Sequence, residues 1–424
     1  MKLIIENVRC FSGRHELPIR PITLLVGENS SGKTTALGAL SVITNQTVLR
    51  GMPKFDTPPY DWGNYYSIAT YRGGRFGRAK SFGLGIQDPS KNERGATGLY
   101  LCFRETGGQP SLSKMRITSR RGALDVQVEG EQVCAVLEWG EHRRKFSLRR
   151  EIPEFDFRYL LHRLVVDLQP QESQKHSVAV PAVYQMLDEL LTPRFIPTIS
   201  LAPVRTKPER TYDRFKDDFT PEGDHVPYIL YKYFESPANG RGAKDLIAAL
   251  RHFGEISGLF RSVTVKKLGK RPGDPFQVLV SVAGRPFNLT DVGYGVSQSL
   301  PIVVDSMRAP KGSMILMQQP EVHLHPQAQA ALATLLVQMS VAEKKQLVIE
   351  THSDHILDRV RLEIARGTVP CEGVCFLYFE KHGLETTVHE LTFDSLGNLI
   401  GAPPSYRRFF LDEEVALLTK SQQR

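Results

Sequence analysis

The sequence is poor in cysteine and tryptophan and has no long apolar run. Five cysteines in 424 residues (Cys10, Cys102, Cys134, Cys371 and Cys375) are odd in number and widely scattered. A disulfide framework is excluded on that pattern, and a reducing cytoplasm fits it. Cys371 and Cys375 stand in C-x3-C spacing, but no second Cys or His pair lies close enough in sequence to complete a metal site. No stretch approaches the ~18–20 apolar residues that span a bilayer, so no membrane partner is expected. The first twenty residues carry charges throughout and have no apolar core, unlike a secretory signal. There is no internal repeat, no low-complexity tract and no heptad pattern long enough for a coiled-coil arm.

What is present is ordinary for a globular protein: 41% hydrophobic and 24% charged residues, enough apolar surface for a sizeable core. The length suggests two or three domains. Net charge is +8, from 54 Lys and Arg against 46 Asp and Glu. Most of it is local: residues 71–160 hold 17 basic against 11 acidic side chains, or +6. Arg72, Arg75 and Arg78 alternate with glycine and Phe76, and Arg143, Arg144 and Lys145 form a second basic run. Arginine beside an aromatic suits phosphate and base contacts. A solvated loop rim, or a protein partner, explains the same residues.

Residues 2–8 and 22–26 read as strands, and a helix starts at Lys33 with Ala36, Leu37, Leu40 and Val42 on its apolar face. Residues 51–191 change texture. Gly, Arg and Tyr are frequent, and short runs such as 98–103 and 145–148 suggest an antiparallel β-rich insertion with a helical end. After residue 195 strands (277–282, 313–317, 346–349, 374–379) alternate with helices (326–339, 355–365). That alternation predicts an α/β fold with a largely parallel sheet. The predicted division is a core from residues 1–50 and 192–384, the insertion at 51–191, and a segment at 385–424 that caps the core or holds a partner.

Gly27-Glu28-Asn29-Ser30-Ser31-Gly32-Lys33-Thr34 is G-x-x-x-x-G-K-T between a predicted strand and a predicted helix, the context that makes it a P-loop. Its glycines let backbone N–H groups turn toward phosphates, and the following helix aims its positive end at them. Lys33 reaches the β- and γ-phosphates and Thr34 offers a hydroxyl to Mg2+. Asn29, Ser30, Ser31 and Thr35 complete the nucleotide-binding set. ATP and Mg2+ are therefore the expected cofactors. Such a site also needs an acid at the end of a buried strand. The strand at 314–317 instead runs into Gln318 and Gln319, amides that cannot serve as a base near neutral pH. Glu321 or Glu350 can take that part.

Four further motifs follow in order: Ser200-Leu201-Ala202-Pro203-Val204-Arg205 with Pro208, Glu209 and Arg210; Asp291-Val292-Gly293-Tyr294-Gly295-Val296-Ser297-Gln298; Gln319-Pro320-Glu321-Val322-His323-Leu324-His325-Pro326; and Glu350-Thr351-His352-Ser353-Asp354-His355. With the P-loop, they make the chain resemble the ABC-type ATPases of the OLD-like and RecF/SMC-like AAA branch over nearly its whole length. The resemblance implies an ABC-type P-loop ATPase core with a mixed, largely parallel sheet, interrupted by the β-rich insertion. It implies that Asp291, Gly293, Gly295, Ser297 and Gln298 form a signature that faces the nucleotide of a second subunit. It also implies that Leu324, His325 and Pro326 stand at the dimer interface and that His352 senses the γ-phosphate. Gln318, Gln319, Glu321, Glu350 and His352 then make up the catalytic group, with Thr34 and Gln318 in the Mg2+ shell. Arg205 and Arg210 are either surface charges or structural, nucleotide-proximal groups. His323 and His325 are explained by an exposed turn better than by metal ligation.

Relatives usually carry an acid where Gln318 stands, whereas Gln or Asn is common at the next position. Gln318 fits a naturally slow ATPase or a Glu-to-Gln exchange that traps the bound state. Both imply ATP binding, dimer closure and weak hydrolysis. OLD nucleases carry a Toprim domain after the core, and only about 45 residues follow Phe379 here, which disfavours a nuclease in cis. The leading expectation is an ATP-gated homodimer or higher homo-oligomer that controls a separately encoded effector, a nuclease, in bacterial anti-phage defence. A RecF-like clamp on DNA and a solitary nucleotide-dependent regulator are the alternatives.

Overall fold

A computed structural model describes residues 1–45, 47–48, 53–75, 77–88, 96–149, 196–213, 216–235, 241–271 and 273–406. The predicted helical end of the insertion and the tail beyond residue 406 lie outside the described residues. A seven-stranded sheet carries the P-loop. Its order is β12 (Thr198–Leu201), β16 (Met314–Gln318), β17 (Gln346–Glu350), β3 (Ile22–Gly27), β18 (Val374–His382), β19 (Glu385–Phe393) and β20 (Leu399–Ile400). The first five are parallel, and β19 and β20 add antiparallel strands at one edge. The predicted α/β class with a mixed, largely parallel sheet is the one observed. Strand β12, of only four residues, extends the sheet beyond the strands read from the sequence.

Both faces of this sheet are buried, which is why its strands read as continuous apolar runs. Side chains alternate between two cores, with the period of two that a pleated strand requires. Ile315, Met317, Leu347, Ile349, Phe376 and Tyr378 face one core, while Met314, Leu316, Val348, Cys375, Leu377 and Phe379 face the other. The first core is closed by helices α3 (Val226–Glu235), α4 (Arg241–Ser257), α5 (Tyr294–Arg308), α6 (Pro326–Glu343) and α7 (Asp354–Ala365).

The second core lies between that sheet, helix α1 (Lys33–Thr44) and an eight-stranded sheet. The latter runs β11 (His142–Arg149), β10 (Gln132–Trp139), β9 (Gly122–Glu129), β8 (Gln109–Ser119), β7 (Ala96–Thr106), β6 (Ser81–Gln87), β1 (Lys2–Val8) and β2 (Phe11–Pro18). Every pairing in it is antiparallel. Six strands thus come from residues 81–149, and they continue the hairpin formed by the first eighteen residues. A short helix, α2 (Tyr65–Ile68), and the small hairpin β4 (Asp56–Thr57) and β5 (Tyr60–Asp61) cover the junction. The strands β13 (Ser262–Lys267), β14 (Phe276–Val282) and β15 (Arg285–Asn288) form a separate three-stranded sheet that leads into the signature region. No helix among the described residues is long and apolar enough to cross a membrane.

Trp62 locks helix α1 to this second core. It is 1% exposed, packs 6.1 Å from the Phe55 ring, and lies so close to α1 that a Cβ at Gly38 would sit 2.5 Å from its indole nitrogen. Removing a buried aromatic loses both transfer energy and packing. Trp62→Ala is therefore expected to lower stability by about 3–5 kcal/mol, read as a fall in the denaturant midpoint. An unchanged midpoint would show that Trp62 does not tie the helix down.

Candidate nucleotide site

Strand β3 ends at Gly27 in the middle of the sheet, and the chain turns back at once into α1. The turn uses left-handed backbone at Gly27 (φ 133°), Ser30 (φ 58°) and Gly32 (φ 99°). At two positions only glycine fits: a Cβ on Gly27 would lie 2.3 Å from the Phe379 carbonyl oxygen, and one on Gly32 2.5 Å from Cys10 Sγ. Lys33, buried at the start of α1, donates from Nζ to the carbonyls of Gly27 (3.0 Å) and Glu28 (2.6 Å). Burial pulls its amine below the ordinary lysine value, against the attraction of Glu350 and Glu28. Ser31 donates to the Glu28 carbonyl (2.8 Å) and accepts at its own carbonyl from the Thr386 hydroxyl (2.9 Å). Asn29, Ser30, Ser31 and Thr35 thus belong to one loop-and-helix-start unit, with Thr35 buried in the first turn.

The neighbouring strands bring carboxylates to it. Thr34 donates its hydroxyl to both oxygens of Glu350, at 3.1 and 2.9 Å. Glu350 closes β17 opposite Gln318, the last residue of β16, and both are buried. Gln319, in left-handed backbone (φ 43°), donates its N–H to the Glu350 carbonyl (2.8 Å). Glu321 Oε1 accepts the His352 backbone N–H at 2.7 Å, and its Oε2 has no hydrogen-bond partner. Burial raises the carboxyl pKa of both Glu321 and Glu350 and lowers that of His352, which also feels Lys33. The structure therefore gathers Lys33, Thr34, Gln318, Gln319, Glu321, Glu350 and His352 at one end of the sheet.

The donor set at Thr34, Gln318 and Glu350 is all oxygen, which suits a hard cation. Among the described residues no group of three or more His, Cys, Asp or Glu forms a metal cage. This fits Mg2+, which takes one or two protein oxygens and completes its shell with phosphates and water.

The signature stretch runs from the exposed Asp291 and Gly293 into the buried Ser297 and Gln298 at the start of α5. Gly293 precedes α5, and Ser297 sits in its first turn, donating to the Tyr294 carbonyl (2.9 Å). Gln298 is buried with its Nε2 unpartnered. Asp291 is clamped by Arg210, one arm of the fork at 3.1 Å. Gly295 packs against the segment after β16: a Cβ there would stand 2.7 Å from the His323 carbonyl oxygen, and the Tyr294 and His323 rings meet edge-on at 4.8 Å. His323 (φ 68°) is part of a tight turn, and His325 precedes α6.

The two basic runs stand apart. Arg72 pairs with Glu385 at 3.6 Å, and Arg78 lies 4.9 Å above the Tyr71 ring while donating to the Ala69 carbonyl (2.9 Å). Arg75 lies in the same exposed loop. Arg143, Arg144 and Lys145 are on the edge strand β11, with Arg143 3.3 Å from Glu138. Strand β6, which this loop enters, is five strand spacings from β11, on the order of 24 Å.

One feature escaped the sequence reading, and another is a residue whose place that reading left open. Thr386 and Cys10 brace the P-loop from opposite ends of the chain: the Thr386 N–H donates to the Cys10 carbonyl (3.0 Å), and the Cys10 thiol lies 3.7 Å from the Ser31 carbonyl. No local pattern marks a contact of that range. The other is Arg205, which is 3% exposed and not at the surface, with Nε and Nη1 unpartnered.

Two family models match the chain: one described as an AAA domain over residues 2–192, the other as an AAA ATPase domain over residues 210–357. The OLD nuclease of Thermus scotoductus is 24% identical over 373 residues, which cover 86% of this chain. The chain is thus similar to AAA-class ATPase domains along two separate stretches and to an OLD nuclease over most of its length. It spans 61% of the length of that nuclease. Among solved structures, the SMC head domain of Thermotoga maritima superposes on this ATPase with a TM-score of 0.41 at 12% identity, covering 91% of the chain and 97% of the head. An SMC head bound to the C-winged helix domain of ScpA gives 0.42 at 11% identity, covering 93% and 97%.

The buried carboxylate of Glu350 gives the ATPase a pH signature. Its folded-state pKa is raised from 4.5, so its protonated form is favoured by folding. The stability it contributes is complete below that value and is lost as pH rises through the raised pKa. In paired melts without nucleotide, the wild type is expected to lose stability relative to Glu350→Gln as pH rises from 4.5 toward neutrality. A difference that stays constant would show that Glu350 does not titrate above its ordinary value.

Proposed function

We propose that this ATPase binds ATP with Mg2+ at residues 27–35 and works as an ATP-gated dimer that controls a separately encoded effector, a nuclease, in bacterial anti-phage defence. The observation that carries the nucleotide half is the cradle itself: the buried ammonium of Lys33, the left-handed turn, and the Thr34 hydroxyl bound to the Glu350 carboxylate. Lys33 would exchange its two carbonyl partners for phosphate oxygens, stronger acceptors for a charged donor. Thr34, Gln318 and Glu350 would hold Mg2+, which supplies charge neutralisation at the phosphates.

Hydrolysis joins a water oxygen to the terminal phosphorus and breaks that phosphorus's bond to the bridging oxygen, releasing ADP, while the water's proton passes to a base. Gln318 and Gln319 cannot accept that proton. Glu350 has both oxygens engaged by Thr34, whereas Glu321 Oε2 is buried with no hydrogen-bond partner of its own. Glu321 therefore takes the role of base, and His352, whose N–H holds its other oxygen, reports the γ-phosphate. The signature of one subunit, from Asp291 to Gln298, would complete the site of the other. The clamp of Arg210 on Asp291 and the contact of Gly295 with the His323 turn keep these interface elements in one rigid piece.

The effector half is supported by the likeness to a protein named a nuclease and by the two basic surfaces, which suit an acidic partner. Co-expression with the neighbouring genes, followed by mass measurement with and without ATP, tests it. A second polypeptide that co-purifies in an ATP-dependent ratio is expected, and a chain that stays alone in both conditions would sink it. For the chemistry, Lys33→Ala should abolish ATP binding. The present chain should turn over well below the ~1–10³ s⁻¹ usual for enzymes. Gln318→Glu should raise that rate, and an unchanged rate would remove residue 318 from the Mg2+ shell.

A further inference from the structure

The turn after β16 (residues 319–325) and the loop after β17 (residues 351–353) are tied to each other by side chains. The His352 N–H donates to Glu321 Oε1 (2.7 Å). A further tie is made by Gln329, in the first turn of α6. Its Nε2 donates to the Leu324 carbonyl (2.7 Å), and its Oε1 accepts from the Ser353 hydroxyl (2.5 Å). The amide has one workable orientation here. A carbonyl can only accept, so Nε2 must face Leu324, which leaves Oε1 for Ser353. Ser353 has its proton to give because it caps α7 with a lone pair, accepting the Ile356 N–H (3.1 Å). The Leu324 N–H is itself bound to the Glu321 carbonyl (3.0 Å). Glu321, Leu324, Gln329, Ser353 and His352 therefore form a closed circuit, each joined to the next by a hydrogen bond or a peptide bond. Its far side meets the signature: a Cβ on Gly295 would lie 2.7 Å from the His323 carbonyl oxygen and 3.4 Å from Leu324 Cδ2.

Local stability needs only half of this arrangement. The spare carbonyl of a tight turn wants one donor, and a helix cap wants one acceptor. A single amide that donates to one segment and accepts from the other links the two. We propose that Gln329 is a positioning residue that relays the state of the nucleotide to the dimer interface: it holds the turn at His323 and Leu324 to the His352 loop, so a shift of that loop is passed to the signature through Gly295. The inference rests on the reading above, in which His352 reports the γ-phosphate and the signature completes the partner's site. It adds the side chain that connects the two. Glutamate cannot replace it, because a carboxylate has no proton for the Leu324 carbonyl near neutral pH. Methionine matches its length and makes neither bond.

The test compares the parent chain with Gln329→Met, Gln329→Glu and Ser353→Thr, which keeps a hydroxyl at the cap. ATP affinity is measured on dilute protein, and the dimer dissociation constant by sedimentation with ATP and again with ADP. Gln329→Met and Gln329→Glu should bind ATP as the parent does. Their preference for the dimer in ATP over ADP should shrink at least ~5-fold, the lower end of ordinary coupling between sites. Ser353→Thr should keep the parent preference. The ratio between the two nucleotides is the decisive quantity, because a turn that is merely loosened weakens the dimer equally in both. A second readout needs no nucleotide. Gln329→Met, Ser353→Ala and the double variant are melted, and the double variant should lose less than the two single losses added together, since the shared bond is broken only once.

The inference is overturned if Gln329→Met and Gln329→Glu keep the parent ratio, if the dimer weakens by the same factor with ATP and ADP, or if the single losses simply add. A parent chain that binds no ATP, or that dimerises no better with ATP than with ADP, removes the proposed function and the relay with it. That failure shows in the parent, whereas failure of the relay alone shows only in the variants.

Discussion

The structure depends on one long-range pairing: strand β3, which ends in the P-loop, is held between β17 and β18 from the far end of the chain. Until those strands arrive, the phosphate loop has no floor. Once they do, the Thr351 N–H is bound to the Leu25 carbonyl (3.1 Å), and Gly27 lies against the Phe379 backbone. The loop can turn sharply because Gly27 and Gly32 have no Cβ to collide with these neighbours. The same pairing sets Glu350 beside Thr34. The hydrogen bond of Thr34 to Glu350 is therefore a consequence of sheet register, and a slip of one residue would turn Glu350 to the opposite face.

That register also sorts the polar groups into roles. Four side chains leave the ends of β16 and β17: the buried Gln318 and Glu350, and the half-buried Gln319 and Glu321. Glu350 has both oxygens on the Thr34 hydroxyl. Glu321 is held through Oε1 by the His352 backbone N–H, and its Oε2 has no hydrogen-bond partner. Burial raises the pKa of both carboxyls, against the opposing charge of Lys33 at Glu350 and of Arg205 at Glu321.

Much of this was legible beforehand. The P-loop was readable because its chemistry needs fixed residue types at fixed spacing. The core strands were readable because burial on both faces leaves a continuous apolar run. Helix α7 was read from its apolar spacing, one residue short of its start, where Ser353 accepts from the Ile356 N–H. The β-rich character of residues 81–149 was also visible. Its continuity with the first eighteen residues was not, because antiparallel pairing carries no mark of its partner. Likewise, the sheet does not stop at residue 384: β19 continues it and sends Thr386 to the P-loop.

The sequence by itself determined the local chemistry: a phosphate-binding turn, two amides where an acid is usual, and a basic stretch between residues 71 and 160. Each depends only on neighbours within a few residues. Tertiary structure alone decided which carboxylate meets the Thr34 hydroxyl, which one has an oxygen without a hydrogen-bond partner, and that Arg205 is buried. It also separated the basic stretch into two surfaces about five strand spacings apart. The reason is physical. Spacing along a chain fixes which atoms share a turn, but burial, pairing and charge neighbours arise only when strands distant in sequence meet in one sheet.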